Sequence, residues 1–247
     1  MPVFYERRQL VTPGDLLAEN NYVAGENTFK ENGKIYATRV GLVNYENRNV
    51  YVMALKSFYV PRVGDTVIGK VVEVSLSGWI IDVKAPYLAM LRASDVLERS
   101  FKPQRDDLPS MFDVGDIVIS KIVASDRTRG PLLTVREPGL GKIKRGQITE
   151  ITPTKIPRLI GKKGSMVTLI KRETGCQVLI GQNGLILVSG KSPKDERLAI
   201  MAIHKIEQEA HTSGLTDRIA EMLRKERGEK EEVGEKGVKE EESRKTD

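Results

Sequence analysis

The stretch of sequence that decides the fold is Ile160-Gly161-Lys162-Lys163-Gly164, which stands directly before a predicted helix over Ser165–Glu173. Two glycines three residues apart let the backbone turn tightly and let a ligand approach without meeting a Cβ atom. Lys162 and Lys163 stand inside the turn, where their ammonium groups can reach adjacent phosphates. The free N–H groups at the start of a helix also favour an anion. The sequence therefore predicts a phosphate-binding turn.

The elements on either side of this turn follow the order β-α-β-β-α. A strand over Gln147–Ile151 precedes the turn, and a hairpin of Gln177–Ile180 and Leu185–Ser189 follows it. A long helix then begins at Pro193 with Ser192 as its N-cap, because a serine side chain accepts a hydrogen bond from the free N–H groups there. Its apolar positions are expected to form one buried stripe of Leu198, Ala199, Met201, Ala202 and Ile206.

The turn and its neighbours resemble a KH domain, in which a Gly-x-x-Gly loop clamps the backbone of a short single strand. The resemblance is carried by the stretch from Pro157 to Val167 and by Glu173-Thr174-Gly175, and no acidic residue occurs between Pro153 and Arg172. It implies a set of RNA-binding residues, which are Arg158, Ile160, Gly161, Lys162, Lys163 and Gly164. The alternative is a turn between two helices with exposed lysines and no ligand.

Short strands upstream of this region, separated by turns, predict a small barrel or sandwich. They are expected over Thr66–Val74, Trp79–Val83, Leu88–Arg92, Asp116–Ala124 and Leu132–Val135. The region resembles an S1 domain, a five-stranded oligonucleotide-binding barrel of the OB-fold type. The residues that carry this resemblance are Gly64-Asp65, Gly69-Lys70-Val71, Ser77 to Val83, Met90 to Asp95 and Val114-Gly115-Asp116.

The expected S1 domain departs from its family at the positions that usually carry exposed aromatic residues, which are Ser77 and Ile80 here. Strand alternation places Trp79 on the same side as Ile81 and Val83, so Trp79 is predicted to lie in the core. Binding through this barrel is therefore expected to be mainly electrostatic, through backbone phosphates. The candidate contacts are the basic residues Arg92, Lys102, Arg105, Arg127 and Arg129.

Composition divides the chain into four regions of a multidomain fold that is mainly β with an α/β part. Residues 1–62 alternate short β-like runs with turns such as Asn32-Gly33, which suits a type I′ hairpin, and are interpreted as an N-terminal β barrel or sandwich for docking. Residues 63–142 are assigned to the S1 domain and 143–215 to the KH domain. Residues 216–247 are expected to hold a short helix over Asp217–Leu223 and a disordered charged tail, which has too few apolar residues to bury.

The composition also excludes several classes of protein. The chain of 247 residues has one cysteine and two histidines, so no disulfide, metal site or cofactor is expected, and Cys176 is interpreted as a small buried residue. No catalytic residue is assigned, because Asp106-Asp107 is the only Asp–Asp pair and neighbouring carboxylates usually point apart. Neither a leader nor a membrane-length apolar run occurs, which predicts a cytoplasmic protein. The net charge of +6 suggests a polyanion or an acidic surface as partner.

The order of an N-terminal β region, an S1 barrel and a KH domain resembles the KH-bearing RNA-binding cap subunits of the archaeal exosome. This resemblance implies a non-catalytic protein that binds single-stranded RNA and guides its 3′ end into the central pore of a hexameric ring of RNase PH-like, phosphorolytic subunits. Three caps would sit on each ring, in some complexes together with the zinc-ribbon cap, whose cysteine ligands this chain lacks. Two alternatives stay open, a free-standing S1/KH factor in transcription or translation and a metal-dependent nuclease.

Overall fold

The computed structural model describes residues 3–55, 58–97, 107–126, 130–210, 212 and 214–226. Contacts divide the chain into two units, Met1–Phe58 and Tyr59–Asp247. The part of the predicted charged tail beyond residue 226 lies outside the described residues, and so do four of the candidate contacts, Lys102, Arg105, Arg127 and Arg129. The domain boundaries at residues 62, 142 and 215 stay predictions.

The N-terminal unit consists of two small sheets around one apolar core. Its strands are β1 (Leu10–Val11), β2 (Leu16–Glu19), β3 (Val23–Ala24), β4 (Thr28–Glu31), β5 (Lys34–Ala37), β6 (Gly41–Glu46) and β7 (Asn49–Ala54). They pair in the orders β1-β6-β7-β3 and β2-β5-β4. The turn at Asn32-Gly33 joins β4 to β5, and the positive φ angles of both residues, 49° and 77°, confirm the predicted hairpin.

A closed five-stranded barrel follows, as predicted. Its strands are β8 (Thr66–Ser75), β9 (Gly78–Asp82), β10 (Ala89–Arg92), β11 (Ile117–Ala124) and β12 (Leu132–Thr134). They pair in the order β12-β10-β9-β8-β11, and pairing of β11 with β12 closes the barrel, while β13 (Gly141–Lys142) is added at β11. Two short helices, α1 (Ala93–Leu97) and α2 (Leu108–Met111), lie between β10 and β11.

Trp79 anchors the core of this barrel, which confirms its predicted place inside. The side chain is completely buried, and its indole Nε1–H donates a hydrogen bond of 2.8 Å to the Phe112 carbonyl oxygen. The two rings meet edge to face, with centroids 5.1 Å apart. A buried indole needs such a partner because an unpaired N–H in the core is costly.

The C-terminal domain is an α/β structure with one three-stranded sheet in the order β14-β16-β15. Its elements are β14 (Gln147–Glu150), α3 (Ile156–Ile160), α4 (Ser165–Thr174), β15 (Gln177–Ile180), β16 (Leu185–Ser189), α5 (Pro193–Gln208) and a helix over 215–226, here α6. The predicted short helix at Asp217–Leu223 lies within α6, and buried residues of α6 such as Leu215 and Ile219 join the core of this domain. None of the helices in the described ranges is long and apolar enough to cross a membrane.

One helix of this domain was not expected. The apolar turn before the glycine loop is helix α3, so the order is β-α-α-β-β-α. Pro157 stands in its first turn, where a fixed φ favours a helix start, and Ile156 and Leu159 are buried. A helix of five residues spans less than two turns, which is too short for a helical period to be recognised in the sequence.

Helix α5 corrects one part of the predicted apolar stripe. Ser192 accepts a hydrogen bond from the Lys194 backbone N–H and is the N-cap, as predicted. Met201, however, is 43% exposed, whereas Ile203 is completely buried. At about 100° per residue, Met201 projects well away from the direction shared by Leu198, Ala202 and the other buried positions.

Candidate nucleic-acid interface

The predicted phosphate-binding turn connects α3 to α4, and three of its residues have positive φ angles. Gly161 has φ 75° and ψ 176°, Lys163 has φ 52°, and Gly164 has φ 79°. The Gly164 N–H closes the turn with a 3.2 Å hydrogen bond to the Gly161 carbonyl oxygen. Left-handed φ angles favour glycine, since other residues pay for the clash of Cβ with the backbone.

The two glycines serve different purposes. A Cβ atom on Gly161 would lie 2.8 Å from the Met166 backbone nitrogen and 2.9 Å from its Cβ, so this glycine lets the loop pack against the first turn of α4. A Cβ atom on Gly164 would meet nothing within 4 Å. Gly161 is therefore needed for close packing as well as for its backbone angles, and Gly164 for its backbone angles alone.

Lys162 and Lys163 project from this turn into solvent. Both are exposed, and in the described part of the chain neither forms an ion pair. The first turn of α4 contains no acidic residue. The two ammonium groups and the N-terminus of α4 together form a positive site without an internal counterion, which suits a phosphate.

Other basic residues of this region are held by the protein. The Arg158 guanidinium donates to the Thr212 carbonyl oxygen at 2.6 Å, and Lys155 donates to the Glu207 carbonyl oxygen at 2.8 Å. Arg172 pairs with the neighbouring Glu173 at 2.7 Å. Among the basic residues between Pro153 and Arg172, the two loop lysines thus face solvent, whereas three side chains, Lys155, Arg158 and Arg172, bind groups of the protein itself. Arg158 is exposed beside the loop, with part of its hydrogen-bonding capacity already used.

The loop is flanked by apolar side chains that are only partly buried. Ile160, at the end of α3, and Val167, in the first turn of α4, both pack against the core of the domain and keep part of their surface outside. Half-buried aliphatic groups beside a phosphate site can contact the face of a base. The structure therefore brings together five of the six predicted loop residues, from Ile160 to Gly164, with Arg158 one turn away.

In the barrel, the structure places one of the five predicted contacts among the described residues. Arg92 ends β10, is exposed, and lies opposite Gly78 in the pairing with β9. A Cβ on Gly78 would come within 2.1 Å of the Leu91 carbonyl oxygen, so only glycine permits this close approach of the strands. Lys102, Arg105, Arg127 and Arg129 lie outside the described residues. The RNA-binding role of all these residues stays a prediction.

The barrel and the KH domain are joined through the β15–β16 turn, a connection that the sequence did not indicate. Asn183 is 4% exposed and forms hydrogen bonds to the backbone of Ile68 and Val83 in the barrel. The Gln182 N–H donates to the Thr66 carbonyl oxygen at 2.8 Å. Around these bonds, Ile68 and Ile119 of the barrel pack on Leu185. The sequence Gln182-Asn183-Gly184 is typical of an ordinary hairpin turn, and no local pattern predicts that the asparagine is buried.

The remaining candidate groups for chemistry are structural. Cys176 is buried, as predicted, and burial raises the pKa of its thiol, which disfavours the reactive thiolate. His204 is exposed on α5, with Nε2 at 3.2 Å from the Thr149 hydroxyl. Among the described residues, no group of three or more His, Cys, Asp and Glu side chains is placed to hold a metal ion.

Comparison with known proteins agrees with this architecture. Three family models match: the N-terminal domain of the exosome RNA-binding protein Rrp4 at residues 8–56, the Rrp4 S1 domain at 58–122 and the KH domain at 147–205. Exosome complex component Rrp4 of Methanobrevibacter smithii is 45% identical over 90% of this chain and 72% of its own length. The Pyrococcus horikoshii protein of the same name is 44% identical over 97% of this chain and 90% of its own.

A solved structure supports the same assignment. A crystal structure described as that of an exosome complex RNA-binding protein is 44% identical in sequence and superposes with a TM-score of 0.68. The match covers 70% of this chain and 99% of the other. With identity above 40% to several relatives across most of the chain and matching models for all three domains, the chain belongs to the Rrp4 family of exosome complex components.

Proposed function

We propose that this chain is the non-catalytic cap that binds single-stranded RNA on a phosphorolytic exosome ring and guides the 3′ end of the RNA into the central pore. The observation that carries RNA binding is the exposed Lys162–Lys163 pair in a left-handed turn at the start of α4. RNA backbones are clamped by this kind of loop in KH domains. Catalysis would belong to the partner subunits, an RNase PH-like hexamer carrying three caps, alone or mixed with the zinc-ribbon cap, in the cytoplasm.

The N-terminal unit is proposed to dock on the ring. It carries exposed apolar side chains, Val40 at 46%, Leu55 at 48% and Phe58 at 54%. The Arg39 guanidinium lies 4.7 Å from the centre of the Phe58 ring. Pro13, Thr38, Arg39, Val40 and Leu55 line a groove here. Contiguous exposed apolar surface commonly marks a protein–protein contact, which is the argument for docking at this place.

The test is reconstitution of the full chain with its ring subunits. The ring alone, the chain alone and the mixture are incubated with single-stranded RNA and inorganic phosphate, and released nucleoside diphosphates are measured. We expect no degradation by the chain, and faster or more processive degradation by the mixture. Comparable degradation by the chain alone would overturn the non-catalytic assignment, and chelator-sensitive activity would favour the metal-dependent nuclease.

Size-exclusion chromatography distinguishes the cap from a free-standing factor. The cap should co-elute with the ring, and a free factor should elute alone. Val40→Asp places a charge in the groove of the N-terminal unit and should reduce co-elution. The same variant should leave RNA affinity of the free chain unchanged, which separates docking from binding. Normal co-elution of Val40→Asp would contradict the proposed docking surface.

A further inference from the structure

The outer surface of the barrel strands β9 and β10 carries apolar and basic side chains, and an exposed aromatic residue, Tyr87, stands in the loop before β10. Alternation along β10 buries Ala89 and Leu91 and turns Met90 and Arg92 outward. Leu88, just before the strand, is 52% exposed, and Ile80 of β9 lies beside Met90 in the register. We call Ile80, Leu88, Met90 and Arg92, together with Tyr87, the β9–β10 face. In OB-folds the second and third strands, which these are, commonly bind oligonucleotides.

Tyr87 differs from every other described aromatic residue of its unit. Its side chain is 57% exposed, whereas Tyr59 is 6% exposed, Phe112 5% and Trp79 completely buried. Tyr87 is thus the exposed ring among the described aromatic residues of this unit. Such a ring offers a π surface on which a base of any sequence can stack.

Two connections of the barrel lie at the two ends of the face, and Tyr87 is at one of these ends. Gly130, in the connection from β11 to β12, lies beside this segment, since a Cβ on it would lie 2.1 Å from the Leu88 carbonyl oxygen and 4.0 Å from the Tyr87 Cβ. At the other end, the Ala93 N–H donates to the carbonyl oxygen of Ser77 in the β8–β9 turn. These two connections are the loops that flank the binding surface of an OB-fold.

The β9–β10 face offers the kinds of side chain that commonly bind single-stranded RNA. Arg92 supplies a cation at one end, Ile80 and Met90 supply half-buried apolar surface in the middle, and Tyr87 supplies a ring at the other end. At about 3.3 Å per residue, Leu88 and Arg92 are separated by roughly 13 Å along the strand. This is room for a short stretch of extended RNA with a phosphate at Arg92 and an unpaired base at the ring.

We infer that Tyr87 is a base-stacking site for single-stranded RNA on the S1 barrel, in the loop before β10 and close to Gly130. The inference rests on the proposed function, since it requires that the chain binds RNA. It changes the expectation that this barrel binds mainly through phosphates. The positions that usually stack carry Ser77 and Ile80, and Tyr87 provides the missing ring from the loop before β10 instead.

The experiment measures the affinity of the full-length chain for a fluorescent oligouridylate of about twelve nucleotides, within the span that OB-folds cover, over a range of salt concentrations. Tyr87→Ala should weaken binding about tenfold, the scale of one lost base stack. Tyr87→Phe should retain affinity because stacking uses the ring and not the hydroxyl. Tyr87→Leu, which has no ring, should lose affinity. The matched control is Phe4→Ala, which removes another exposed ring from the N-terminal unit.

The salt dependence separates this proposal from the proposed function. Tyr87→Ala should leave the slope of log affinity against log salt unchanged, because a stack releases no counterions. If the wild-type chain binds RNA and Tyr87→Ala binds it equally well, only the stacking site is overturned. The exposed ring would then be assigned to a contact with another protein. Absence of RNA binding by the wild-type chain would instead overturn the proposed function. Photo-crosslinking of an iodouridine RNA to the wild-type chain, with mapping of the crosslink, tests Tyr87 without any variant, and a crosslink elsewhere on the barrel contradicts the proposal.

Discussion

The side-chain amide of Asn183 pairs with both backbone groups of Ile68, in the way that a neighbouring strand would. Asn183 Nδ2 donates to the Ile68 carbonyl oxygen at 2.6 Å, and the Ile68 N–H donates to Asn183 Oδ1 at 3.3 Å. Nδ2 donates a further bond of 2.9 Å to the Val83 carbonyl oxygen. One buried side chain of the KH domain thus satisfies three backbone groups of the S1 barrel, and this connection holds the two RNA-binding modules together.

Replacement of Asn183 by alanine should therefore destabilise the barrel–KH junction. Three buried backbone groups would lose their partner, and unsatisfied buried groups cost about 1–3 kcal/mol each before the structure relaxes. We expect a loss of about 2–4 kcal/mol in the free energy of unfolding, measured by urea denaturation. Gln182→Ala is the matched control, because the exposed Gln182 contributes its backbone N–H to the junction. An unchanged unfolding midpoint for Asn183→Ala would contradict this account.

Reversal of charge at Lys162 and Lys163 should weaken binding of single-stranded RNA by the full chain. Loss of two phosphate contacts should lower the slope of log affinity against log salt by about 0.7 for each contact. Lys191→Asp with Lys194→Asp changes the net charge equally. These lysines follow Gly190, which lies near Cys176 at the far end of α4, about 15 Å from the loop. Equal losses of affinity in the two double variants would mean that total charge, and not the loop, determines binding.

The two loop glycines should respond differently to alanine. Gly164→Ala should cost about 1–2 kcal/mol, the price of a left-handed backbone angle, and should leave the turn in place. Gly161→Ala adds a methyl group 2.8 Å from the Met166 nitrogen, so the start of α4 must shift. We expect a larger loss of RNA affinity for Gly161→Ala, with thermal unfolding measured in parallel. Greater sensitivity at position 164 would show that packing against Met166 is not what shapes the loop.

Glu207 should make the stability of the KH domain depend on pH. Burial raises the pKa of its carboxyl group, but hydrogen bonds from the Thr152 hydroxyl and N–H, with the charges of Lys155 and His204, outweigh burial and lower the pKa below its usual value of 4.5. A lowered pKa in the folded state stabilises the protein above the unfolded pKa, and this contribution is lost as the pH falls through the folded pKa.

Glu207→Gln should accordingly lower the free energy of unfolding at neutral pH by about 1 kcal/mol, which lowers the melting temperature. The difference from the wild type should shrink in acid, below about pH 4, where the wild-type carboxyl group is protonated as well. Melting curves of the two proteins across this range check the prediction. Glu209→Gln, which removes a carboxylate that pairs with Arg218 at 2.9 Å, is a control on the same helix end. A difference that stays constant with pH would show that the charge of Glu207 is not involved.

Much of the fold was predictable because its signals are local. The positive φ angles at Asn32-Gly33, the N-cap at Ser192 and the alternation that buries Trp79 all depend on residues within a few positions of each other. Helix α3 and the exposure of Met201 were not predicted. A single turn of helix leaves no period to recognise, and the choice among apolar positions on α5 depends on which ones meet the sheet.

By itself, the sequence determined the β-rich regions and the glycine loop with its two lysines, because glycine spacing, strand alternation and charge are properties of neighbouring residues. The identity and order of the three modules came from the resemblance of these stretches to known families. Only the tertiary structure decided which basic residues have partners within the protein, since Arg158 and Lys155 donate to carbonyl oxygens more than 50 positions away. It also decided that Asn183, 115 positions away in sequence, binds Ile68, and that Tyr87 is exposed while the other described aromatic residues of its unit are buried. Such contacts depend on how distant segments pack, which no local pattern specifies.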